Sequence, residues 1–110
     1  MVIRDYLGKS VEVIIDRPLG TKHPKHDFSY PINYGYIADT KNSDGEEIDV
    51  YVIGPSQLLD NFSGKVIALF HRTNDDDDKL VVSEDLNITD AEIENAVKFQ
   101  EQWFTHEIWR

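Results

Sequence analysis

A mainly β domain (β+α), a small antiparallel barrel with one C-terminal amphipathic helix, is the architecture this sequence predicts. Three observations carry that expectation. Short β-branched or aromatic runs alternate with Gly, Pro, Asn and Asp clusters, as strands alternate with turns. No helical period interrupts them before residue 89. One capping sequence and one amphipathic stretch then fill the last fifth of the chain. Strands first and a helix last is the order of a layered domain around one core. A length of 110 residues makes it a single domain, 1–110.

The elements follow in order. Val11 to Ile15 is β-branched apart from Glu12 and reads as a strand, which Arg17-Pro18-Leu19-Gly20 breaks. Thr21 to Asp27 is a polar, basic loop. Phe28 to Ile37 is aromatic and β-prone, and Pro31 restricts it to an edge or a bend. Asp39 to Ser43 is a turn region. Asp49 to Ile53 is a strand stopped by Gly54-Pro55. Leu58 to Gly64 reads as a loop. Lys65 to His71 is a continuous buried strand. Lys79 to Val82 is another, placed to pair with it across an acidic loop. Thr89 and Glu92 form a capping box. Ile93, Ala96, Val97, Phe104 and Ile108 then fall on one helical face, widened by Phe99 and Trp103. The outer face of the barrel is the natural surface for that stripe.

Charge is concentrated. The net charge is −10, and Asp44, Glu46, Asp49 and Asp75 to Asp78 account for seven of the 21 acids. Such a chain is a poor match for nucleic acid. The absence of cysteine excludes disulfides and thiolate metal sites. Met1 to Asp5 lacks the apolar core of a signal peptide, and no apolar run reaches membrane-spanning length. A cytoplasmic protein with no membrane and no nucleic-acid partner is expected. A homo-oligomer stays open.

The chemistry-bearing segments are two acidic loops and one tyrosine cluster. Ser43-Asp44-Gly45-Glu46-Glu47-Ile48-Asp49 leads into one strand, and Asp75-Asp76-Asp77-Asp78-Lys79 leads into another. Carboxylates at two strand entrances would suit a hard divalent cation such as Mg²⁺. Solvated turns meet the same spacing, since Asp-Gly is also a hairpin signal. Tyr30-Pro31-Ile32-Asn33-Tyr34-Gly35-Tyr36 would serve either as barrel core or as a set of hydroxyl donors.

Taken together, Tyr-Pro-x-Asn-Tyr-Gly-Tyr, then Asp-Gly-x-x-x-Asp-Val, then a strand and an acidic loop ending Asp-x-Lys resemble the family I soluble inorganic pyrophosphatases. The resemblance runs from about Phe28 to Val82. It implies a closed, OB-like five-stranded barrel and metal-dependent hydrolysis of pyrophosphate to two phosphates. By that resemblance Asp44, Asp49 and Asp77 are metal ligands, with Asp75 the match for a further one and Asn74 the other choice. Glu46 takes the place of the general base, where the family usually has Asp. Lys79 and Tyr34 contact phosphate. The basic candidates for phosphate binding are Arg17, Lys22, Lys25 and Arg72. Lys22 has the distance from Tyr30 at which the family places an Arg. The cofactor is Mg²⁺, with Mn²⁺ or another divalent cation as substitutes. His23 and His26 add a transition-metal reading, because imidazole suits softer ions. Near the C-terminus Trp103-Phe104-Thr105-His106 resembles the aromatic stretch before a family Tyr-Lys pair, but Glu107-Ile108 follows and the pair is missing. The alternatives are a hydrolase of another small phosphoanhydride or phosphoester, and a non-catalytic module that binds divalent metal or pyrophosphate. As the residue following four aspartates, Lys79 is expected to form ion pairs that cost little to break.

Overall fold

The computed structural model describes residues 2–110. After a 3₁₀ turn at Ile3–Tyr6, the strands are β1 (Ser10–Arg17), β2 (Asn33–Ile37), β3 (Ile48–Ile53), β4 (Asn61–Arg72) and β5 (Lys79–Ser83). Helix α1 (Asp90–Glu101) and strand β6 (His106–Trp109) follow. The sheet runs β1-β2-β3-β5-β4-β6, and a β1–β4 pairing closes the first five into a barrel. The closed, mainly β barrel is as expected. One pairing departs from an all-antiparallel barrel: β3 and β5 run parallel.

Strand β4 is longer than the apolar run of residues 65–71 indicates. It begins at Asn61, inside the segment read as a loop. Asn61 to Lys65 pair with β1, and Leu69 to Arg72 pair with β6 along the same edge. That second pairing explains where α1 stops. The apolar stripe at Phe104 and Ile108 continues the helical spacing, but those residues lie beyond the helix. Ile108 pairs with Phe70 on the free end of β4 instead. Phe104, His106 and Ile108 also satisfy a period of two, and the open hydrogen-bonding edge of β4 decides between the two readings. The capping box is made as expected. The Glu92 amide donates to Thr89 Oγ1 at 3.2 Å, and the Thr89 amide donates to Glu92 Oε1 at 3.1 Å.

Two apolar clusters sit on opposite faces of the central strands. Val13, Ile48, Val50, Val52, Leu80 and Val82 form one, away from the helix. Tyr51, Ile53, Phe70 and Val81 form the other, together with Ile93 and Val97 of α1. Alternate residues of β3 and β5 therefore face barrel interior and helix. This is why both strands read as unbroken apolar runs. No helix among the described residues is long and apolar enough to cross a membrane.

Between β1 and β2 the chain folds back on itself. Lys22 bridges Ser29, the Tyr30 amide donates to the Thr21 carbonyl at 2.8 Å, and the His23 amide donates to the Phe28 carbonyl at 2.9 Å. The segment read as one strand from Phe28 is thus two pieces: this small ear, and β2 after Pro31. Where β1 meets β2 the register slips between Ile15 and Arg17, so Asp16 is the extra residue of a bulge. Gly35 sits opposite Ile15. A Cβ on Gly35 would run into the Ile14 carbonyl and lie 2.9 Å from the Ile15 Cα. Main chain cannot swing aside as a side chain can. Gly35→Ala is therefore expected to lower stability by at least about 2 kcal/mol, well beyond the usual effect of one methyl group. Denaturant unfolding measures this, and a near-parental midpoint would contradict it.

Candidate active site

Strand register assembles the candidate site before any side chain is considered. Arg17 is the partner of Tyr34 across β1–β2, Tyr36 the partner of Asp49 across β2–β3, and Asp49 the partner of Lys79 across β3–β5. Asp44 and Glu46 lie on the turn before β3, and Asp77 on the loop before β5. Because β3 and β5 are parallel, both acidic loops enter the barrel at the same end. This brings together residues that are up to 33 positions apart.

Two adjoining clefts open at that end. One, of about 430 Å³, is lined by Asp16, Tyr36, Asp44, Glu46, Glu47, Asp49 and Asp77. The other, of about 310 Å³, is lined by Arg17, Arg72 and Lys79, by the hydroxyl-bearing Tyr30 and Tyr34, and by His23, His26, Phe28, Gln100, Trp103 and Phe104. They share Asp16, Asp49 and Asp77. The result is one trough with an acidic half and a cationic, aromatic half.

Lys79 stands at the seam. Its ammonium donates to Asp77 Oδ2 at 2.7 Å and to Asp49 Oδ2 at 2.9 Å. It also lies 5.4 Å from the centre of the Tyr34 ring. The side chain is only 3% exposed. The expectation of easily broken ion pairs is thus overturned: this lysine is a buried cation in a sheet, not a surface counterion. Burial pushes the Asp77 carboxyl above its ordinary range; Lys79 opposes the shift and Asp49 adds to it. Asp77 Oδ1 is buried and accepts no hydrogen bond. Burial, and next the charge of Asp49, hold the Tyr34 phenol well above its usual range, so it keeps its proton.

Arg72 forms the second fixed point. Its Nε and Nη2 donate to the two oxygens of Glu101 at 2.8 and 2.9 Å. Its guanidinium carbon lies 3.7 Å from the Phe104 ring centre. Burial works against its charge, but Glu101, with Asp77 and Tyr51, outweighs burial and keeps it protonated. Nη1 remains, 3.6 Å from both Asp75 and Asp77. A relay ties this fork to the other guanidinium of the trough. Tyr51 donates to Glu101, Gln100 to Tyr51 at 2.7 Å, and Tyr30 to Gln100 at 3.0 Å, while Arg17 reaches the Tyr30 hydroxyl at 3.5 Å.

The structure brings Asp44, Glu46, Asp49 and Asp77 into the acidic half, and Arg17, Tyr34, Arg72 and Lys79 into the cationic half. Asp75 borders the trough through Arg72 and accepts the Asp77 amide at 2.7 Å. Lys22 and Lys25 line neither cleft. Lys22 is 72% exposed and pairs with Asp27 at 3.5 Å, and Lys25 is exposed. His23 and His26, from the same loop, line the cleft instead. Asp16, Gln100 and Glu101 escaped the sequence reading. Adjacent strand residues normally face opposite sides, and only the bulge lets Asp16 and Arg17 both reach the trough. Gln100 and Glu101 look like ordinary polar helix positions. Their one sequence signal is that they precede the aromatic cluster ending at Phe104.

Among the described residues, no three carboxylate or imidazole groups are gathered closely enough to be a ready-made metal cage. The donor set nonetheless fits a hard cation. The acidic half offers carboxylate oxygen throughout, Asp77 Oδ1 is buried without a partner, and such ions keep several waters instead of demanding a complete protein shell.

Comparison with known proteins agrees with this geometry. A family model described as inorganic pyrophosphatase matches residues 9–108. An inorganic pyrophosphatase of Corynebacterium efficiens is 35% identical over 74 residues, which are 64% of this chain and 44% of that protein. The chain thus spans less than half the length of that relative. Among solved structures, an inorganic pyrophosphatase of Ehrlichia chaffeensis superposes with a TM-score of 0.72 at 16% identity, covering 94% of this chain and 86% of that one. One from Neisseria gonorrhoeae gives 0.62 at 24% identity, covering 81% and 70%. The two structures show the shared fold, and the family model covers nearly the whole chain. This chain belongs to the inorganic pyrophosphatase family.

Proposed function

We propose that the protein hydrolyses inorganic pyrophosphate with the help of a divalent cation, Mg²⁺ or Mn²⁺. The observation that carries this reading is the trough with two unlike halves meeting at Lys79. A polyanion bound together with cations needs carboxylates for the cations and N–H or O–H donors for its own oxygens, and both are present within one site.

Asp44, Asp49 and Asp77 would hold the cation, with Asp75 at the margin and Asp16 as an additional acid. When bound, such an ion supplies Lewis-acid charge that polarises the phosphoryl oxygens and makes the attacking water more acidic. The protein's own groups do the rest. Glu46 accepts the proton of the attacking water as its oxygen bonds to one phosphorus. The bond from that phosphorus to the bridging oxygen breaks, and the second phosphate leaves with the electron pair. Arg17, Lys79, the Nη1 of Arg72 that does not bond Glu101, and the Tyr34 hydroxyl donate to phosphate oxygens. Charge builds on those oxygens as the bridge breaks, and donors held rigidly there stabilise the transition state more than the ground state. The Glu101 fork and the Tyr30–Gln100–Tyr51 relay keep these donors from relaxing.

Phosphate release tests the reading directly. Pyrophosphate should be hydrolysed with Mg²⁺ or Mn²⁺ and not with a chelator, and a nucleotide and a phosphomonoester should be much poorer substrates. Preference for one of the latter would replace pyrophosphate by that class.

Lys79→Met removes the ammonium and keeps most of the volume. Asp49 and Asp77 would then face each other without their shared cation; both are partly exposed, so the loss should cost about 1–3 kcal/mol. The melt in chelator should fall accordingly, and added divalent cation should restore part of it. Turnover should drop by at least about tenfold, the equivalent of one lost donor to a charged oxygen. Parental turnover would remove Lys79 from the mechanism.

Asp77→Asn should behave in the opposite way in chelator. The raised folded pKa means that the ionised carboxyl costs stability in the metal-free protein. That stability is present below the unfolded value of 3.8 and is lost as pH rises through the folded value. At neutral pH the metal-free variant should melt at or above the parent. Its advantage should shrink as pH falls toward 3.8. With Mg²⁺ the order should reverse, because only the parent gains by binding. Thermal melts across pH, with and without metal, decide this. A variant less stable than the parent in chelator at neutral pH would contradict it.

A further inference from the structure

We propose that His23 is a neutral hydrogen-bond donor to substrate phosphate, filling the place that sequence spacing gives to Lys22. The proposal rests on the pyrophosphate reading of the trough and adds a residue to it.

The argument begins with the loop. His23-Pro24-Lys25-His26 turns tightly at the tip of the ear, and the turn is closed by the imidazole of His23. Its Nδ1 accepts the Lys25 amide at 3.0 Å and the His26 amide at 3.2 Å. A ring nitrogen that accepts two N–H groups carries no proton. The proton of the neutral ring is therefore on Nε2. The loop thus fixes the tautomer, as a partner on one ring nitrogen generally does.

The ring itself is also fixed. It is stacked on Tyr30, with centroids 5.9 Å apart and planes 12° from parallel, and touches Phe28 and His26 with centroids at 4.8 Å. His23 lines the same cleft as Arg17, Arg72, Lys79 and Tyr34. Nε2 makes no hydrogen bond to the described residues, so its N–H is free for a ligand. Partial burial, and next the neighbouring His26 and Arg17, hold the imidazole below its ordinary pKa. Near neutral pH the group is therefore an uncharged donor with a single N–H. Lys22 points its ammonium at Asp27 and does not line the cleft. The bridge of Lys22 to Ser29 explains the substitution: neighbouring residues of an extended segment face opposite sides, so the ear turns His23 inward when Lys22 faces out.

The test separates the two jobs of the ring. His23→Asn keeps an acceptor oxygen close to the position of Nδ1, so it can still close the turn, but nothing reaches where Nε2–H stood. His23→Ala removes both. If His23 donates to phosphate, His23→Asn should keep the parental melting temperature and lose roughly ten- to a hundredfold in pyrophosphate turnover, as expected for a lost hydrogen bond to a charged group. His23→Ala should lose the same turnover and also some stability. A ring that only closes the turn would leave His23→Asn fully active, and that result overturns the proposal. Independently, the ring ¹⁵N spectrum of the parent should show a protonated Nε2 that shifts when inorganic phosphate is added with Mg²⁺. A proton on Nδ1, or an unmoved Nε2 at saturating phosphate, would equally overturn it. The two readings fail separately. A parent that cannot hydrolyse pyrophosphate but whose Nε2 shifts with phosphate loses the substrate assignment and keeps His23 as a phosphate donor.

Discussion

A single ammonium shared by two carboxylates, buried in the sheet, is the constraint on which the candidate site depends. Lys79 lies on the strand that runs parallel to β3, directly beside Asp49. That position makes the ion pair a consequence of strand pairing instead of side-chain search. Taking these charges out of water is unfavourable unless each is paired and hydrogen-bonded. Lys79 meets this with two short bonds, but Asp77 retains a buried oxygen with no partner. The pair is therefore stable enough to form and incompletely satisfied. A fully neutralised cluster would have nothing left to offer a ligand, whereas this one keeps an unpartnered carboxylate oxygen.

Backbone irregularity supplies what regular strands cannot. The bulge at Asp16 lets an acid and the following arginine reach the same trough, the acid lining both halves and the arginine the cationic one. It also forces β1 against β2 so closely that Gly35 has no room for a side chain. The glycine of the Tyr-Gly-Tyr cluster is thus coupled to the acid across the pairing. The tyrosine on one side of it faces the cationic half, and Tyr36 faces the acidic half. The bulge, the glycine and the two tyrosines work as one device.

The C-terminal segment stiffens the cationic half. Glu101 is 1% exposed at the last turn of α1, and there it holds both Arg72 and the Tyr51 hydroxyl. The helix then stops, Phe104 slides beneath the Arg72 guanidinium, and β6 completes the open end of β4. What the segment provides is indirect: it orients Arg72 and, through Gln100 and Tyr30, Arg17.

Much of this was legible in local sequence. The strand runs, the capping box at Thr89 and the two acid-bearing strand entrances depend on alternation, propensity and turn chemistry, which act over a few residues. Asp44, Glu46, Asp49, Asp77 and Lys79 were recognisable because they cluster in short motifs. What only the tertiary structure decided depends on distant partners. The end of α1 was decided by the free edge of β4, which no local pattern announces. Asp16 reached the trough through a bulge set by pairing with β2. His23 lines the trough and Lys22 does not, because the ear turns one of two adjacent residues outward. Glu101 gained its importance only when folding buried it beside Arg72. Side-chain chemistry near one point of the chain can be read from the chain; which buried charges share a partner is a property of register, and register is settled only when the barrel closes.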